Sequence, residues 1–301
     1  FLVALTLGLV SPLLAKESPP NVIFFAVDDL CDWVGAMGHT QAKTPNMDAL
    51  AKRGVSFNNA HCPGVFCAPS RSVLMTGKHM GRTTVRGNST KPIVIKPGQQ
   101  TLATVLKKAN YSTACIGKWG IGTPDNFTNP NDVGFDHFYG HLHTNTDFYT
   151  HRRENGHDLQ RNGVSVSRDG EYLTHIEADQ AKRFIETRDK GKPFFLYVPF
   201  TAPHSPMQAP AKTIEKYKHL PRQGYQRVYA AMVDEMDIAI GSILGTLESE
   251  GLADNTIVVF LSDNGGSNYF GGNNTPLRGQ KGQTFEGGIR VPAVVRWPNH
   301  L

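Results

Sequence analysis

Residues 21–29 read Asn-Val-Ile-Phe-Phe-Ala-Val-Asp-Asp. A continuous apolar run of this kind suits a strand covered on both faces, as in a parallel sheet. It stops abruptly at Asp28-Asp29, and adjacent carboxylates repel unless a cation lies between them. Three more apolar runs stop in unusual polar residues: Tyr111 to Gly117 at Lys118, Pro193 to Phe200 ahead of His204, and Thr256 to Leu261 ahead of Asp263-Asn264. A last run covers Val291 to Arg296. Amphipathic segments separate them: Thr44 to Gly54 with Pro45 at its first turn, the stretch after Cys67, Thr101 to Ala109, Tyr172 to Asp189, and Gln226 to Glu250. Alternating strand and helix predict an α/β fold with a mostly parallel central sheet. Such sheets bind ligands beyond the carboxyl ends of their strands, so these polar groups are expected to converge. Residues 123–169 are rich in Gly, Asn and His and read as loop with at most a short hairpin. Asp234 and Asp237, inside the longest helical stretch, read as solvated or packing residues.

Asp28, Asp29, Asp263 and Asn264 offer hard oxygen ligands, which suit Ca²⁺ or Mg²⁺ rather than zinc. Ca²⁺ tolerates looser geometry and is the expected ion, with Mg²⁺ the alternative. His141, His143 and His151 have no carboxylate or cysteine spaced to complete a zinc site. Cys67-Ala68-Pro69-Ser70-Arg71 reads as a loop turning into a helix, because proline suits a first turn. That places Cys67 where free N–H groups favour an anion, with Arg71 one turn on. With Lys118, His204 and Lys281, Arg71 completes a set of donors for a tetrahedral anion. The bulk properties agree: 301 residues hold one large domain, and a net charge of +5 without basic blocks suits an anionic substrate but not nucleic acid. The four cysteines show no CxxC or zinc-like spacing, and Cys31 and Cys115 read as small core residues. Phe1 to Leu14 followed by Ala15-Lys16-Glu17-Ser18 reads as a secretory segment too short to span a bilayer.

Cys-x-Pro-Ser-Arg resembles the maturation signature of the sulfatase family. Asp28-Asp29, Gly117-Lys118-Trp119, Pro203-His204-x-Pro206, Asp263-Asn264-Gly265 and Arg278-Gly-Gln-Lys281-Gly occur in that family's order. Residues 271–279 and 147–151 are similar to its arylsulfatase, N-acetylgalactosamine-4-sulfatase-like branch. The resemblance implies an alkaline-phosphatase-like three-layer sandwich. Residues 1–18 would be the remainder of a signal peptide, and 19–301 a catalytic domain whose smaller C-terminal subdomain lies outside this sequence. It implies sulfate-ester hydrolysis of carbohydrates or aryl sulfates; the run Phe1 to Leu14 implies export to a periplasm, the extracellular space or, in a eukaryote, a lysosome-like compartment. Cys67 would be oxidised by a formylglycine-generating enzyme to 3-oxoalanine, whose hydrate attacks sulfur. Asp28, Asp29, Asp263, Asn264 and the modified Cys67 would hold the cation. Lys118, His204 and Lys281 would grip the sulfate group, His204 or Lys281 would protonate the leaving oxygen, and Arg71 would steady the hydrate. One departure stands out: Gly120 occupies the place of a family histidine, and His141, His143 or His151 is the expected substitute. Two rival readings are a phosphatase or phosphodiesterase of the same superfamily and a non-catalytic binder of sulfated glycans. Asn88-Ser-Thr and Asn110-Tyr-Ser read as glycosylation sequons.

Overall fold

Alternation along the first strand sets up the layers. In β1 (Asn21–Val27), Ile23, Phe25 and Val27 enter one apolar cluster while Phe24 and Ala26 enter another on the opposite face. No face of the strand is left for solvent, as the unbroken apolar run demands. The computed structural model describes residues 18–88, 94–96, 98–121, 129–153 and 156–301; the apolar run Phe1 to Leu14 lies outside the described residues, as do Ser89 and Thr90 of one sequon.

The remaining strands are β2 (Val55–Ser56), β3 (Ser112–Lys118), β4 (His137–His141), β5 (Arg152–Arg153), β6 (Gly156–His157), β7 (Gln160–Arg161), β8 (Val164–Ser165), β9 (Phe194–Val198), β10 (Thr256–Ser262) and β11 (Ala293–Arg296). They form a nine-stranded sheet in the order β2-β11-β10-β1-β9-β3-β4-β7-β8, with β5 and β6 as a separate hairpin. The five central strands, β10 to β4, run parallel, and antiparallel strands close both edges. Strand β4 corrects the reading of residues 123–169 as loop. Its five residues, His-Phe-Tyr-Gly-His, form no apolar run and are placed by pairing with β3 and β7.

Helices cover both faces. α1 (Pro45–Lys52), α4 (Leu173–Thr187), α5 (Ala211–Lys216) and α6 (Gln226–Ser249) pack on the face that holds Phe25. α2 (Cys67–Thr76) and α3 (Leu102–Lys108) pack on the other. A reciprocal capping box between Thr101 and Thr104 starts α3. α1 starts differently from what Thr44-Pro45 predicts: the Thr44 hydroxyl donates to Asp48, and the Asp237 carboxylate from α6 accepts the Asn46 and Met47 backbone N–H groups. Asp237 is thus a buried packing residue, and Cys31 and Cys115 are buried in the core. Among the described residues, no helix is long and apolar enough to cross a membrane.

Candidate functional site at the carboxyl edge of the sheet

Strand ends deliver most of the polar cluster. Asp28 and Asp29 follow β1, Lys118 closes β3, His204 follows β9, and Asp263-Asn264 follow β10. Adjacent parallel strands end level with one another, so their last residues share one rim. Pairing of Val27 with Ser262 puts Asp28 and Asp263 side by side. Cys67 opens α2 behind an extended Phe66, and Arg71 lies one turn further on. Lys281 arrives on a loop anchored by its own N–H donating to the Gly266 carbonyl.

The contacts are charged and buried. Asp28, Asp29, Cys67 and His204 each bring a ligand atom within 4.8 Å of the others. Lys118 Nζ pairs with Asp28 Oδ2, both fully buried. Lys281 Nζ lies 2.6 Å from Asp29 Oδ1 and 3.6 Å from Cys67 Sγ. His204 Nδ1 is 2.7 Å from the Ser205 carbonyl, which only accepts, so Nδ1 carries a proton; Nε2 points to Asp29 Oδ2 at 3.7 Å. Arg71 Nε donates to Asp263 Oδ2 at 2.8 Å, and its Nη1 donates to the Lys118 carbonyl at 2.9 Å. The Asn264 amide donates to Asp29 Oδ1 at 2.7 Å.

Electrostatics follow from crowding three carboxylates in a buried space. Burial works against charge on Asp28, but Lys118, His204, Arg71 and Lys281 outweigh it and hold Asp28 well below the usual carboxylate range. Burial and then Asp28 push Asp263 up, against Arg71 and Lys118. Burial also opposes charge on Lys281, yet Asp29, Cys67 and Asp28 raise it above the ordinary lysine range. Cys67 behaves oppositely: burial, reinforced by Asp28, pushes its thiol up to about 11 despite Lys118 and Lys281. An unmodified thiol here stays protonated at neutral pH and is a poor nucleophile.

A divalent cation fits what these residues leave open. Asp28 Oδ1 and Asn264 Oδ1 are buried acceptors without a hydrogen-bond partner among the described residues. Unsatisfied buried oxygens are costly, and a hard cation between them and Asp29 removes that cost. Asp263 contributes less freely than its residue type predicts, because one of its oxygens is held by Arg71.

Of the candidate substitutes at Gly120, His141 stands beside Lys118 in the sheet with its Nε2 2.8 Å from the Thr201 hydroxyl, while His143 Nδ1 is 3.2 Å from Arg153 and His151 Nε2 is 3.2 Å from the Glu171 carbonyl. Gly120 does lie at the site. At φ +67° a Cβ there meets Lys118 Cε at 3.1 Å and Arg71 Cδ at 3.4 Å, so this corner is kept clear by glycine. Asp169, distant in sequence, approaches His151 and corrects the view that no carboxylate accompanies these histidines.

Two functional candidates escape sequence reading. Asn88 accepts from the Ala68 N–H at 3.1 Å and places its amide 3.8 Å from Cys67 Sγ, so it faces the thiol rather than standing free as a sequon. Beneath the site, Thr201 links His141 to Glu177, whose carboxyl burial pushes up to about 8. No local pattern ties Asn88 to Cys67 or Glu177 to Thr201; packing alone brings each pair together.

Comparison with known proteins agrees with this geometry. The family model described as Sulfatase matches residues 20–301. Mouse arylsulfatase J is 37% identical over 296 residues, covering 94% of this chain and 49% of the relative. Human N-acetylgalactosamine-6-sulfatase is 33% identical over 310 residues, covering 94% of this chain and 58% of the relative. The crystal structure of Ps i-CgsB superposes with a TM-score of 0.88 at 33% identity, covering 94% of this chain and 67% of that one. The chain spans about half the length of the curated relatives it matches. On the fold, the family model and these identities, the chain belongs to the sulfatase family.

Proposed function

We propose that the protein containing this chain hydrolyses sulfate esters, with a sulfated carbohydrate as the natural substrate class. The observation that carries the reading is the gathering of Cys67, Asp28, Asp29 and His204 within 4.8 Å, with Lys281 3.6 Å from the sulfur. Cys67 opens α2 in the Cys-x-Pro-Ser-Arg segment that resembles the family's maturation signature, which favours its conversion to 3-oxoalanine by a formylglycine-generating enzyme. That group would supply a hydrated aldehyde, a nucleophile that an unmodified cysteine does not offer. Asp28, Asp29, Asn264, Asp263 and the modified side chain of Cys67 would hold Ca²⁺, with Mg²⁺ the alternative, and the ion would supply Lewis-acid polarisation.

The chain's own residues do the rest. Lys118 and Lys281 present ammonium groups to the sulfate oxygens, and His204 presents its Nε2 edge. His204 or Lys281, both facing Asp29, would give the leaving alcohol oxygen its proton. Arg71 fixes Asp263 and the β3 terminus, holding the rim rigid. Asn88 orients the first turn of α2 through the Ala68 N–H. The carbohydrate preference rests on the name of the human relative, N-acetylgalactosamine-6-sulfatase. Export is favoured by the apolar leader-like run Phe1 to Leu14.

Parallel assays of the whole protein on an aryl sulfate and an aryl phosphate test the reading. Sulfate turnover well above phosphate turnover is expected. Cys67→Ala is expected to lower it by at least about a thousandfold. Dominant phosphate turnover, or unchanged activity in Cys67→Ala, contradicts the reading.

A further inference from the structure

Beyond the carboxyl end of β4, residues 147–153 and 156–171 bring two imidazoles to one carboxylate. His151, His157 and Asp169 each place a ligand atom within 4.8 Å of the other two. His151 is completely buried, and its Nε2 is bonded to the Glu171 carbonyl at 3.2 Å. A carbonyl only accepts, so Nε2 carries the proton and Nδ1 presents a lone pair. That Nδ1 is buried and has no hydrogen-bond partner among the described residues. His157 Nδ1 lies 3.3 Å from the Ser165 hydroxyl, which can donate or accept, and its buried Nε2 has no hydrogen-bond partner among the described residues and lies 3.8 Å from Asp169 Oδ1.

Leaving a buried imidazole nitrogen unpaired costs free energy that a packed segment does not usually accept. Here the cost falls on two nitrogens that share a carboxylate. Each histidine is oriented through its other nitrogen, the arrangement by which metal-ligating histidines are held. The backbone fixes the same geometry. The Gly170 N–H donates to the Tyr149 carbonyl at 2.8 Å, tying the Asp169 loop to the turn that carries His151. His151 itself has φ +54°, an uncommon conformation for a non-glycine residue.

We propose that His151, His157 and Asp169 form a second metal site, one that takes Zn²⁺ and is separate from the carboxylate-rich site at Asp28 and Asp29. Two imidazoles and one carboxylate suit zinc and not the oxygen-seeking ion proposed for the sheet edge. Zinc bonds of about 2.1 Å set tetrahedral donors about 3.4 Å apart, so small side-chain shifts suffice. Asp169 is half exposed, which leaves water to take the fourth position. The ion's role is structural. It pins the turn at Asp147, whose carboxylate accepts from the Gln208 amide at 2.7 Å, and so steadies the loop that also carries His204.

Zinc binding to the whole protein in a Cys67→Ser background, with Ca²⁺ saturating the other site, tests this. Isothermal titration with ZnCl₂ and thermal melts with and without zinc are the readouts, neither of which depends on activity. We expect one zinc per chain and a melting temperature raised by several degrees. His157→Ala is expected to weaken binding at least tenfold and to remove the thermal shift. Asp169→Asn, at a half-exposed position that leaves the core untouched, is expected to do the same. Absence of zinc binding to the parent, or equal binding to both variants, overturns the proposal.

Discussion

Cys67 shows how one residue type takes opposite meanings in different surroundings. A helix N-terminus and two nearby lysines normally acidify a thiol, yet burial and Asp28 prevail and push it up to about 11. The sequence foretells the position of Cys67 at a helix start, but the balance depends on how completely water is excluded. Arg71 was equally legible, since its one-turn spacing from Cys67 is local. Its partner Asp263, 192 residues away, became visible only with the sheet. Breaking that buried pair with Arg71→Ala is expected to lower stability by about 3–5 kcal/mol, read from urea denaturation. Glu177 gives a pH test. Burial raises its folded pKa to about 8 from an ordinary 4.5, against hydrogen bonds from Thr201. The folded state therefore holds an extra proton between those values, and the contribution to stability is lost as pH rises through about 8. Urea midpoints measured from pH 5 to 9 are expected to fall more steeply in the parent than in Glu177→Gln. Parallel pH profiles would contradict this.

Elements were legible where their signal was periodic or continuous. β1, β9 and β10 are unbroken apolar runs, and α4 and α6 carry long apolar stripes. Strand β4 was missed because its place is set by contacts and not by hydrophobicity. Gly140 pairs with Gly117 across β3 and β4, and a Cβ on Gly140 would lie 1.9 Å from the Gly117 carbonyl oxygen. Gly140→Ala is expected to part these strands and to give a protein that melts far below the parent or fails to accumulate in soluble form. The start of α1 was also misread, because its cap comes from another helix. Asp237→Ala leaves the Asn46 and Met47 N–H groups without their acceptor. That is expected to cost about 1–3 kcal/mol in chemical denaturation, with the proposed sulfate-ester hydrolysis unchanged where the protein stays folded.

For the molecule as a whole, the arrangement of the central strands does most of the assembly. Parallel strands ending at one rim gather Asp28, Lys118, His204 and Asp263 from positions spread over most of the chain. This convergence was legible from the sequence, because each apolar run ends in a residue poorly suited to a core. What was not legible were the cross-chain pairings within the cluster, such as Lys281 with Asp29, which depend on loops without periodic signal. If a divalent ion occupies this cluster, chelation with EGTA or EDTA is expected to abolish ester hydrolysis and lower the melting temperature. Added Ca²⁺ or Mg²⁺ is expected to restore both. Full activity after chelation would count against the ion.

The central claim is that Cys67 works in an oxidised form and not as a thiol. Its most direct test is the mass of the proteolytic peptide that contains Cys67, from protein made together with a formylglycine-generating enzyme. The account predicts the mass of the aldehyde or its hydrate, whereas an intact thiol in fully active protein would contradict it.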